Sequence, residues 1–391
     1  MVRKISENIF EVGAIDWDRR LFDELIPLPN GTSYNSYLIK GSEKTLLIDT
    51  VDPTKTAFLL ANLQQLGISK IDYVIAHHGE QDHSGSLPDV LAAFPMAKVV
   101  TNAKCRDELK EHLLLSDEQF MVIEDRQVLS LGDKNLEFLF APWVHWPETF
   151  LTYLKEEQIL FTCDLFGSHL ASAELLAVNE PEVYRTAKRY YAEIMMPFRT
   201  NIKKHLEMLA PYQIKMICPS HGPVYQRPQL ILDAYKDWTS DKVKNEVVFP
   251  YVSMHGSTAK MADRLIAALL ERGVIVQPFN LSRTDIGELA MAMVDAATIV
   301  IGSPTVLAGP HPLANYAAFL ANALRPKTRF VSIIGSFGWG GRMVDILAGA
   351  IPNVKVEIIP PVVIKGVPKT ADLAALDALA AVIAQKHKEV V

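Results

Sequence analysis

Short apolar runs separated by turn residues mark the chain up to about residue 245. Runs of this kind, rich in Val, Ile, Leu, Phe and Tyr, predict β-strands. The runs are IFEVGAI, NSYLIKG, KTLLIDT, DYVIAHH, KVVTN, LEFLFAP, ILFTCDL and IKMICPS. Helical spacing falls between them at residues 55–66 and 105–114, and a largely helical section covers about residues 181–209. This mixture predicts two sheets with helices outside them.

From residue 246 onward, strands and helices alternate regularly. The strand segments are VVFPYVS, VIVQPFN, ATIVIGSP, RFVSIIGS and VKVEIIPPVV, each followed by a helical pattern. Five strands alternating with helices predict a doubly wound α/β domain with a parallel sheet. A helical pattern over residues 229–241 and the charged DKVKNE after it separate the two parts. We therefore expect one domain over residues 1–245 and a second over residues 246–391.

Composition narrows the function class. The 391 residues are 49% hydrophobic and 21% charged, with a net charge of −6 and no basic run, which argues against a nucleic-acid partner. We expect no membrane span and no signal peptide, and thus a cytoplasmic protein. Cys105, Cys163 and Cys218 form no C-x-x-C unit, so we expect reduced thiols and any iron–sulfur centre on another polypeptide.

The stretch AHHGEQDHSG at residues 76–85 is the densest cluster of metal-binding side chains. It follows a predicted buried strand, and loops at strand ends commonly carry functional residues. The candidate ligands are His78, Glu80, Asp82 and His83. Counting from His77 instead would put Gly79 where a ligand is needed, so we expect His77 to be a bystander.

Three later strands also end in a polar residue beside Gly or Pro or an aromatic side chain. These residues are His145 in LFAPWVHWPE, Asp164 in ILFTCDLFG and His221 in IKMICPSHGP. Each alone would suit a strand cap or a core histidine, but together with the loop they predict a binuclear metal site. Asp49 at the end of KTLLIDT either orients a ligand histidine or caps a turn.

The seven candidates comprise four imidazoles and three carboxylates. Carboxylate oxygens make a site harder and favour iron or manganese over zinc. Three carboxylates against two divalent ions leave one positive charge, which a bridging hydroxide would cancel. The composition of the site therefore suits a redox-active pair of ions.

Three loops at strand ends of the second domain predict a flavin site. The first is rich in hydroxyls and opens a helix, as a phosphate cradle does; its residues are Ser253, Met254, His255, Gly256, Ser257 and Thr258. The second contains Ser303, Pro304, Thr305, Val306 and Leu307, and the third Ser336, Phe337, Gly338, Trp339, Gly340 and Gly341. Aromatic side chains among glycines suit stacking on a flat ring, and the less favoured alternative is that Trp339 simply covers the sheet edge. The predicted cofactor is FMN.

The first 240 residues or so resemble the metallo-β-lactamase fold, whose hydrolases read H-x-H-x-D-H where this chain has Glu80. Over its full length the chain resembles the flavodiiron protein family. The matching segments are VGAIDWDRR, GTSYNSYLI, HGEQDHSG, HWPET, CDLFG, YYAEI, PSHGP, SMHGSTAKMA, GSPT and GSFGWGG. The resemblance implies an α/β protein: a metallo-β-lactamase-like αββα sandwich, then a flavodoxin-like doubly wound parallel five-stranded sheet.

The resemblance also implies a function. Members reduce dioxygen to water, nitric oxide to nitrous oxide, or both, at a non-haem di-iron site supplied with electrons through FMN. His78, Glu80 and His145 would hold one iron, Asp82, His83 and His221 the other, and Asp164 would bridge. Members form head-to-tail homodimers or dimers of dimers. An external donor such as rubredoxin or reduced deazaflavin is implied, because no such module is fused here.

Some positions depart from the family pattern. A histidine often found before the GTTYNAYL segment is missing from FDELIPLPNGTSYNSYL, and Leu307 and Ala308 stand where relatives often carry asparagines. Tyr191 of YYAEI either reaches the substrate pocket or packs in the core. Two alternatives remain: a zinc-dependent hydrolase with an accessory flavodoxin-like module, against which Glu80 argues, and a flavin electron carrier with a degenerate metal domain. The second is disfavoured because none of the seven ligands is lost.

Overall fold

A computed structural model describes residues 1–391, which form two compact units. The first comprises residues 1–191 and 198–239, and the second residues 192–197 and 240–391. None of the helices combines the length and apolar character needed to cross a membrane.

The first unit contains sixteen strands and seven α-helices. The strands are β1 (Arg3–Ser6), β2 (Ile9–Glu11), β3 (Ala14–Asp16), β4 (Leu21–Phe22), β5 (Ile26–Pro27), β6 (Thr32–Tyr34), β7 (Tyr37–Lys40), β8 (Thr45–Ile48), β9 (Tyr73–Ile75), β10 (Lys98–Thr101), β11 (Phe120–Val122), β12 (Val128–Ser130), β13 (Asn135–Phe140), β14 (Phe150–Leu154), β15 (Ile159–Cys163) and β16 (Met216–Pro219). The helices are α1 (Thr56–Gln65), α2 (Gln81–Ser84), α3 (Leu87–Ala93), α4 (Ala103–Leu113), α5 (Glu180–Tyr190), α6 (Arg199–Leu209) and α7 (Gln229–Thr239). Short 3-10 turns cover Pro53–Lys55 and Asp117–Gln119. A π-helical turn (Tyr191–Met195) and a 3-10 turn (Met196–Phe198) contain residues 192–197, which belong to the second unit.

Two sheets of this unit pack face to face. One has the order β1-β2-β7-β8-β9-β10-β11 and the other β12-β13-β14-β15-β16. Alternation along a strand sends successive side chains to opposite faces. Thus Leu46 and Ile48 join a core with Phe138 and Phe161 of the second sheet, whereas Leu47 packs with the helices outside. The predicted αββα layering is confirmed.

The second unit contains seven strands and five helices. The strands are β17 (Lys244–Tyr251), β18 (Ile275–Asn280), β19 (Ala296–Val306), β20 (Gly309–Pro310), β21 (Phe330–Phe337), β22 (Glu357–Ile358) and β23 (Val362–Lys365). The helices are α8 (Ser257–Leu270), α9 (Ile286–Met293), α10 (Pro312–Leu324), α11 (Met343–Gly349) and α12 (Thr370–Val390).

The main sheet of this unit is parallel, in the order β18-β17-β19-β21, with β22 and β23 both pairing to β21. This is the order of a flavodoxin-like sheet, as predicted. The fifth position differs in one detail from the expected single strand VKVEIIPPVV. Pro360 and Pro361 have no N–H to donate to the ladder, so the strand divides into β22 and β23 on either side of them.

Candidate functional site

The metal-binding candidates all follow strands of the first unit. Ile75 ends β9, and the loop after it leads through His78 and Glu80 into α2, a single turn that contains Asp82 and His83. His145, Asp164 and His221 come after β13, β15 and β16, three strands of the second sheet. Strand order thus brings together residues that are up to 143 positions apart in the sequence.

Asp164 lies at the centre of the cluster, and its two oxygens face different histidines. Oδ2 lies 3.2 Å from Nε2 of His145 and 3.6 Å from Nε2 of His78. Oδ1 lies 3.1 Å from Nε2 of His83 and 3.3 Å from Nε2 of His221. One carboxylate therefore stands between two pairs of imidazoles.

Each pair of histidines has a further carboxylate of its own. Oε2 of Glu80 lies 3.1 Å from Nε2 of both His78 and His145. Asp82 approaches the other pair, with Oδ2 3.2 Å from Nε2 of His221 and Oδ1 3.4 Å from Nε2 of His83. The seven candidates thus form two adjoining clusters of donor atoms, one with Glu80 and one with Asp82.

The chemistry of these donors fits two cations. Both oxygens of Asp82, Oδ2 of Asp164 and Nε2 of His83 are buried without a hydrogen-bond partner. Buried polar atoms without partners are costly, and bound ions would satisfy them. Mixed carboxylate and imidazole donors suit iron or manganese.

The titration behaviour of the cluster also points to a need for positive charge. Burial disfavours the charged imidazole of His145, but the carboxylates of Asp164 and Glu80 outweigh it and raise its pKa to about 9. The pKa of His221 is raised to about 10 for the same reason, by Asp164 and Asp82 against burial. Burial acts to raise the pKa of Asp164, yet the surrounding histidines hold it well below its usual range. Protons occupy the imidazoles of the metal-free cluster, and cations would displace them.

Neighbouring acceptors determine which ring nitrogen is available to a metal. Nδ1 of His221 donates to the carbonyl oxygen of Ser33 (2.7 Å), and Nδ1 of His78 donates to Oε1 of Glu148 (2.6 Å). In both rings, Nε2 therefore faces the carboxylates of the cluster, as is usual for metal-binding histidines. Glu148 also accepts from the backbone N–H of Gly79 (3.0 Å). Sequence reasoning missed Glu148, although it lies three residues after His145 in HWPET.

His77 has no free ring nitrogen. Nδ1 lies 2.8 Å from Oδ2 of Asp49, and Nε2 lies 2.7 Å from Oγ1 of Thr152. Asp49 also accepts from the backbone N–H of His77 (2.9 Å). These contacts are consistent with the expectation that His77 is a bystander. Asp49 binds His77 directly and also lies within 4.8 Å of a ring nitrogen of His83, a candidate ligand.

Further residues beside the cluster were not expected. The hydroxyl of Tyr190 donates to Oδ1 of Asp164 (2.7 Å), whereas the hydroxyl of Tyr191 donates to the carbonyl oxygen of Trp238 (3.2 Å). Of the two readings of Tyr191, core packing is therefore the one seen here. Asp23 lies on the turn between β4 and β5, and burial together with Glu80 and Asp82 raises its pKa. Asp23 belongs to the segment that lacks the family's histidine.

The flavin-site candidates surround a cavity of about 210 Å³ in the second unit. Its lining comprises Ser253, Met254, His255, Ser257, Thr258, Pro304, Thr305, Ser336, Phe337, Gly338 and Gly366. Several of these carry hydroxyls, and Ser253 Oγ accepts from the backbone N–H of Gly256 (3.2 Å) and of Ala259 (3.1 Å) at the start of α8. Hydroxyls and a helix N-terminus at one cavity fit a phosphate group. Gly366, after β23, was not predicted.

Other candidates lie around this cavity without lining it. Gly340 and Gly341 line an adjoining cavity of about 200 Å³, which shares Thr305 and Phe337 with the first. Ser303 is buried, with its hydroxyl between the carbonyl oxygen of Pro304 and the N–H of His311. The remaining ones project outward: Leu307 is 92% exposed on the turn after Val306, and Trp339 is 79% exposed.

Comparison with known proteins identifies the family. A family model described as ODP family beta lactamase matches residues 32–222. The chain is 34% identical over 378 residues to a nitric oxide reductase of Moorella thermoacetica, covering 94% of both proteins. It is 33% identical over 366 residues to a coenzyme F420H2 oxidase of Methanothermobacter marburgensis, covering 89% of this chain and 90% of the relative.

Solved structures agree over the whole chain. The rubredoxin oxygen:oxidoreductase of Desulfovibrio gigas matches with a TM-score of 0.96 and 30% identity, covering 100% of this chain and 99% of that one. The flavodiiron protein of Giardia intestinalis matches with a TM-score of 0.92 and 26% identity, covering 100% and 97%. Both the metal-site half and the flavin-site half lie within these alignments. The chain belongs to the flavodiiron protein family.

Proposed function

We propose that this protein is an oxidoreductase that reduces dioxygen to water, nitric oxide to nitrous oxide, or both, at a non-haem di-iron site fed through FMN. The observation that carries the proposal is the placement of Asp164, whose two oxygens face two separate histidine pairs at 3.1–3.6 Å. A bridging carboxylate between two such groups is what a pair of ions requires. His78, Glu80 and His145 would hold one iron, Asp82, His83 and His221 the other.

The relatives support the choice of reaction. Their names describe a nitric oxide reductase, a coenzyme F420H2 oxidase and a rubredoxin-oxygen oxidoreductase, each aligned over about nine-tenths or more of this chain. Each of these names describes the reduction of a small gas, the oxidation of an external donor, or both. A full-length match also argues against a hydrolase that merely carries a flavin module.

Individual residues of the chain have distinct proposed roles. When bound, the iron pair and FMN would supply up to four electrons, the number that converts dioxygen to two waters. Glu148 orients His78, and the Ser33 carbonyl orients His221, so that each presents Nε2 to the cluster. Tyr190 donates a hydrogen bond to Asp164 and stabilises its charged form. Glu80 supplies an oxygen where a hydrolase would place an imidazole, which favours iron over zinc.

The flavin candidates are proposed to hold the phosphate and the ring separately. Hydroxyls of Ser253, Ser257 and Thr258 at the start of α8 would bind the phosphate. The loops after β19 and β21, which carry Thr305 and Phe337, would contact the ring. The proposed partners are an external donor, either a rubredoxin or reduced deazaflavin, and a second copy of the chain in a head-to-tail homodimer or a dimer of dimers. The proposed location is the cytoplasm.

Steady-state turnover with each gas tests the proposal. Purified protein should hold about one FMN and two irons per chain, and should consume dioxygen or nitric oxide when a reduced rubredoxin or reduced deazaflavin is supplied. Glu80→Gln should lower turnover and iron content while leaving FMN in place. Protein that holds iron and FMN but consumes neither gas with either donor would refute the proposal, as would ester, phosphoester or lactam hydrolysis that survives removal of the flavin.

A further inference from the structure

His169 lies beside the metal cluster and has a buried ring nitrogen that the fold does not use. Its side chain is 7% exposed. Nδ1 lies 2.9 Å from the hydroxyl oxygen of Thr32, but Nε2 is buried and has no hydrogen-bond partner. Leaving such an atom unpaired costs free energy. An unpaired polar atom in an otherwise well-packed region calls for a partner that the protein does not itself supply.

The neighbours of His169 connect it to the cluster. Its ring centroid is 5.2 Å from that of His221 and 4.8 Å from that of Tyr190, and both of these side chains contact Asp164. The backbone fixes this arrangement, because the N–H of Ser168 donates to the carbonyl oxygen of His221 (3.1 Å). His169 is therefore held at the edge of the cluster on the side of His221.

His169 is not one of the candidate ligands. Neither of the two adjoining clusters of donor atoms, nor the third group formed by Asp49, His83 and Cys163, includes it. Its Nε2 is thus outside the groups of donor atoms that could hold a cation. The hydrogen-bonding capacity of this nitrogen is available to another molecule. A small molecule bound to the ions is the species that would bring a new acceptor to this place.

We propose that His169 donates a hydrogen bond from Nε2 to the small molecule that binds at the di-iron centre, and is thereby a substrate-binding residue. In this proposal the Thr32 hydroxyl donates to Nδ1 at 2.9 Å rather than to the more distant carbonyl oxygen of Ser33 at 3.4 Å, so that the ring proton lies on Nε2. The inference rests on the proposed function for the identity of the bound molecule, a diatomic gas.

The proposal also accounts for the segment that lacks the family's histidine. Phe22, on β4, packs against His169 with ring centroids 5.2 Å apart. This apolar contact packs against the imidazole and supplies no hydrogen-bond partner for Nε2. His169 therefore places an imidazole next to the segment that lacks the family's histidine.

Two substitutions at residue 169 distinguish the role of Nε2 from that of Nδ1. His169→Asn keeps an amide near the position of Nδ1 but removes the group at Nε2, whereas His169→Gln places an amide nitrogen near the position of Nε2. His205→Asn is the matched control, because His205 is a buried histidine of the same unit whose Nε2 donates to the carbonyl oxygen of Pro142 (2.9 Å).

The probe is azide added to the iron-loaded protein with FMN bound, read by its infrared stretching band and by its dissociation constant. His169→Asn should shift the band and weaken azide binding about fivefold, the usual effect of losing one hydrogen bond. His169→Gln should restore most of both, and His205→Asn should match the wild type. Thr32→Val, which leaves His169 in place, should also shift the band because it changes the tautomer.

The outcomes distinguish this inference from the proposed function. An unshifted azide band in His169→Asn protein that holds two irons would overturn the role of His169, whatever the turnover. Loss of iron in both His169 variants, together with an unshifted band in Thr32→Val, would show a structural role and would also overturn it. Wild-type protein that binds azide but reduces neither gas would refute the proposed function alone.

Discussion

Glu148→Gln perturbs one half of the metal cluster while preserving the shape of the side chain. Glu148 is buried, and its Oε1 accepts from Nδ1 of His78 at 2.6 Å and from the N–H of Gly79 at 3.0 Å. The amide oxygen of glutamine can still accept both bonds, but without the negative charge that strengthens them. We therefore expect His78 to become a weaker ligand without a change of fold.

The size of the expected loss of metal affinity follows from the hydrogen bond between Glu148 and His78, a candidate ligand. Removing such a partner typically lowers metal affinity about 10- to 100-fold, or roughly 1.4 to 2.7 kcal/mol. The loss should fall on the ion held by His78, Glu80 and His145. The hydrogen bonds of Glu148 go to His78 and Gly79, on the side of the first ion, so the second ion should be affected much less.

Competition titration of ferrous iron into metal-free protein under anaerobic conditions, against a chelator of known affinity, measures both steps. Wild-type protein should bind two ions tightly, and Glu148→Gln should show one tight and one weakened step. Glu11→Gln is the control, because Glu11 is a buried carboxylate of the same unit that accepts from the backbone N–H of Gly13 (2.9 Å) and pairs with Arg3 (2.8 Å) instead of a candidate ligand. Equal weakening of both steps in Glu148→Gln, or no weakening at all, would contradict the assignment of two distinct groups.

Three other perturbations address the bridge, the flavin and the protons. Asp164→Ala should lose both irons and keep FMN, measured by metal analysis and flavin absorbance; retention of one tightly bound iron would contradict the bridging role. Trp339→Ala should weaken FMN binding by about tenfold through loss of ring stacking and leave iron content unchanged, whereas loss of iron would contradict the division of sites between the domains. At pH 7 the metal-free imidazoles of His145 and His221 carry protons, with pKa values of about 9 and 10. The pKa values of His78 and His83 are raised as well. Metal binding at pH 7 should therefore release at least two protons, and the number should fall as pH rises through 9 to 10; calorimetry in buffers of different ionisation enthalpy counts them, and no release at pH 7 would contradict the assignment.

Local patterns were sufficient to predict much of the fold. The second unit follows from strands and helices in regular alternation, each with its own period, and the ligand loop is contiguous in the sequence. The strands β9, β13, β15 and β16 were recognisable as apolar runs, so the residues that end them were recognisable too. The apolar run across Pro360 and Pro361 suggested a single strand. Because neither proline has an N–H to donate, the run divides into the two short strands β22 and β23.

The residues that sequence reasoning missed are brought to the site only by tertiary structure. Glu148 is 70 positions from His78, and Tyr190 is 26 positions from Asp164. Within YYAEI, neighbouring helical residues point about 100° apart, so the choice between Tyr190 and Tyr191 depends on how α5 packs. His169 carries no signal of its own, because an unpaired ring nitrogen can be recognised only when all its neighbours are known.

Metal analysis of protein made in iron-replete, anaerobic cells tests the central claim most directly. The site has four imidazoles and three carboxylates, and the two oxygens of Asp164 face two different pairs of histidines. This set of donors predicts about two irons per chain and little zinc. Glu80→His protein from the same cells should take up more zinc. Wild-type protein that contains two zinc ions and no iron under these conditions would contradict the account.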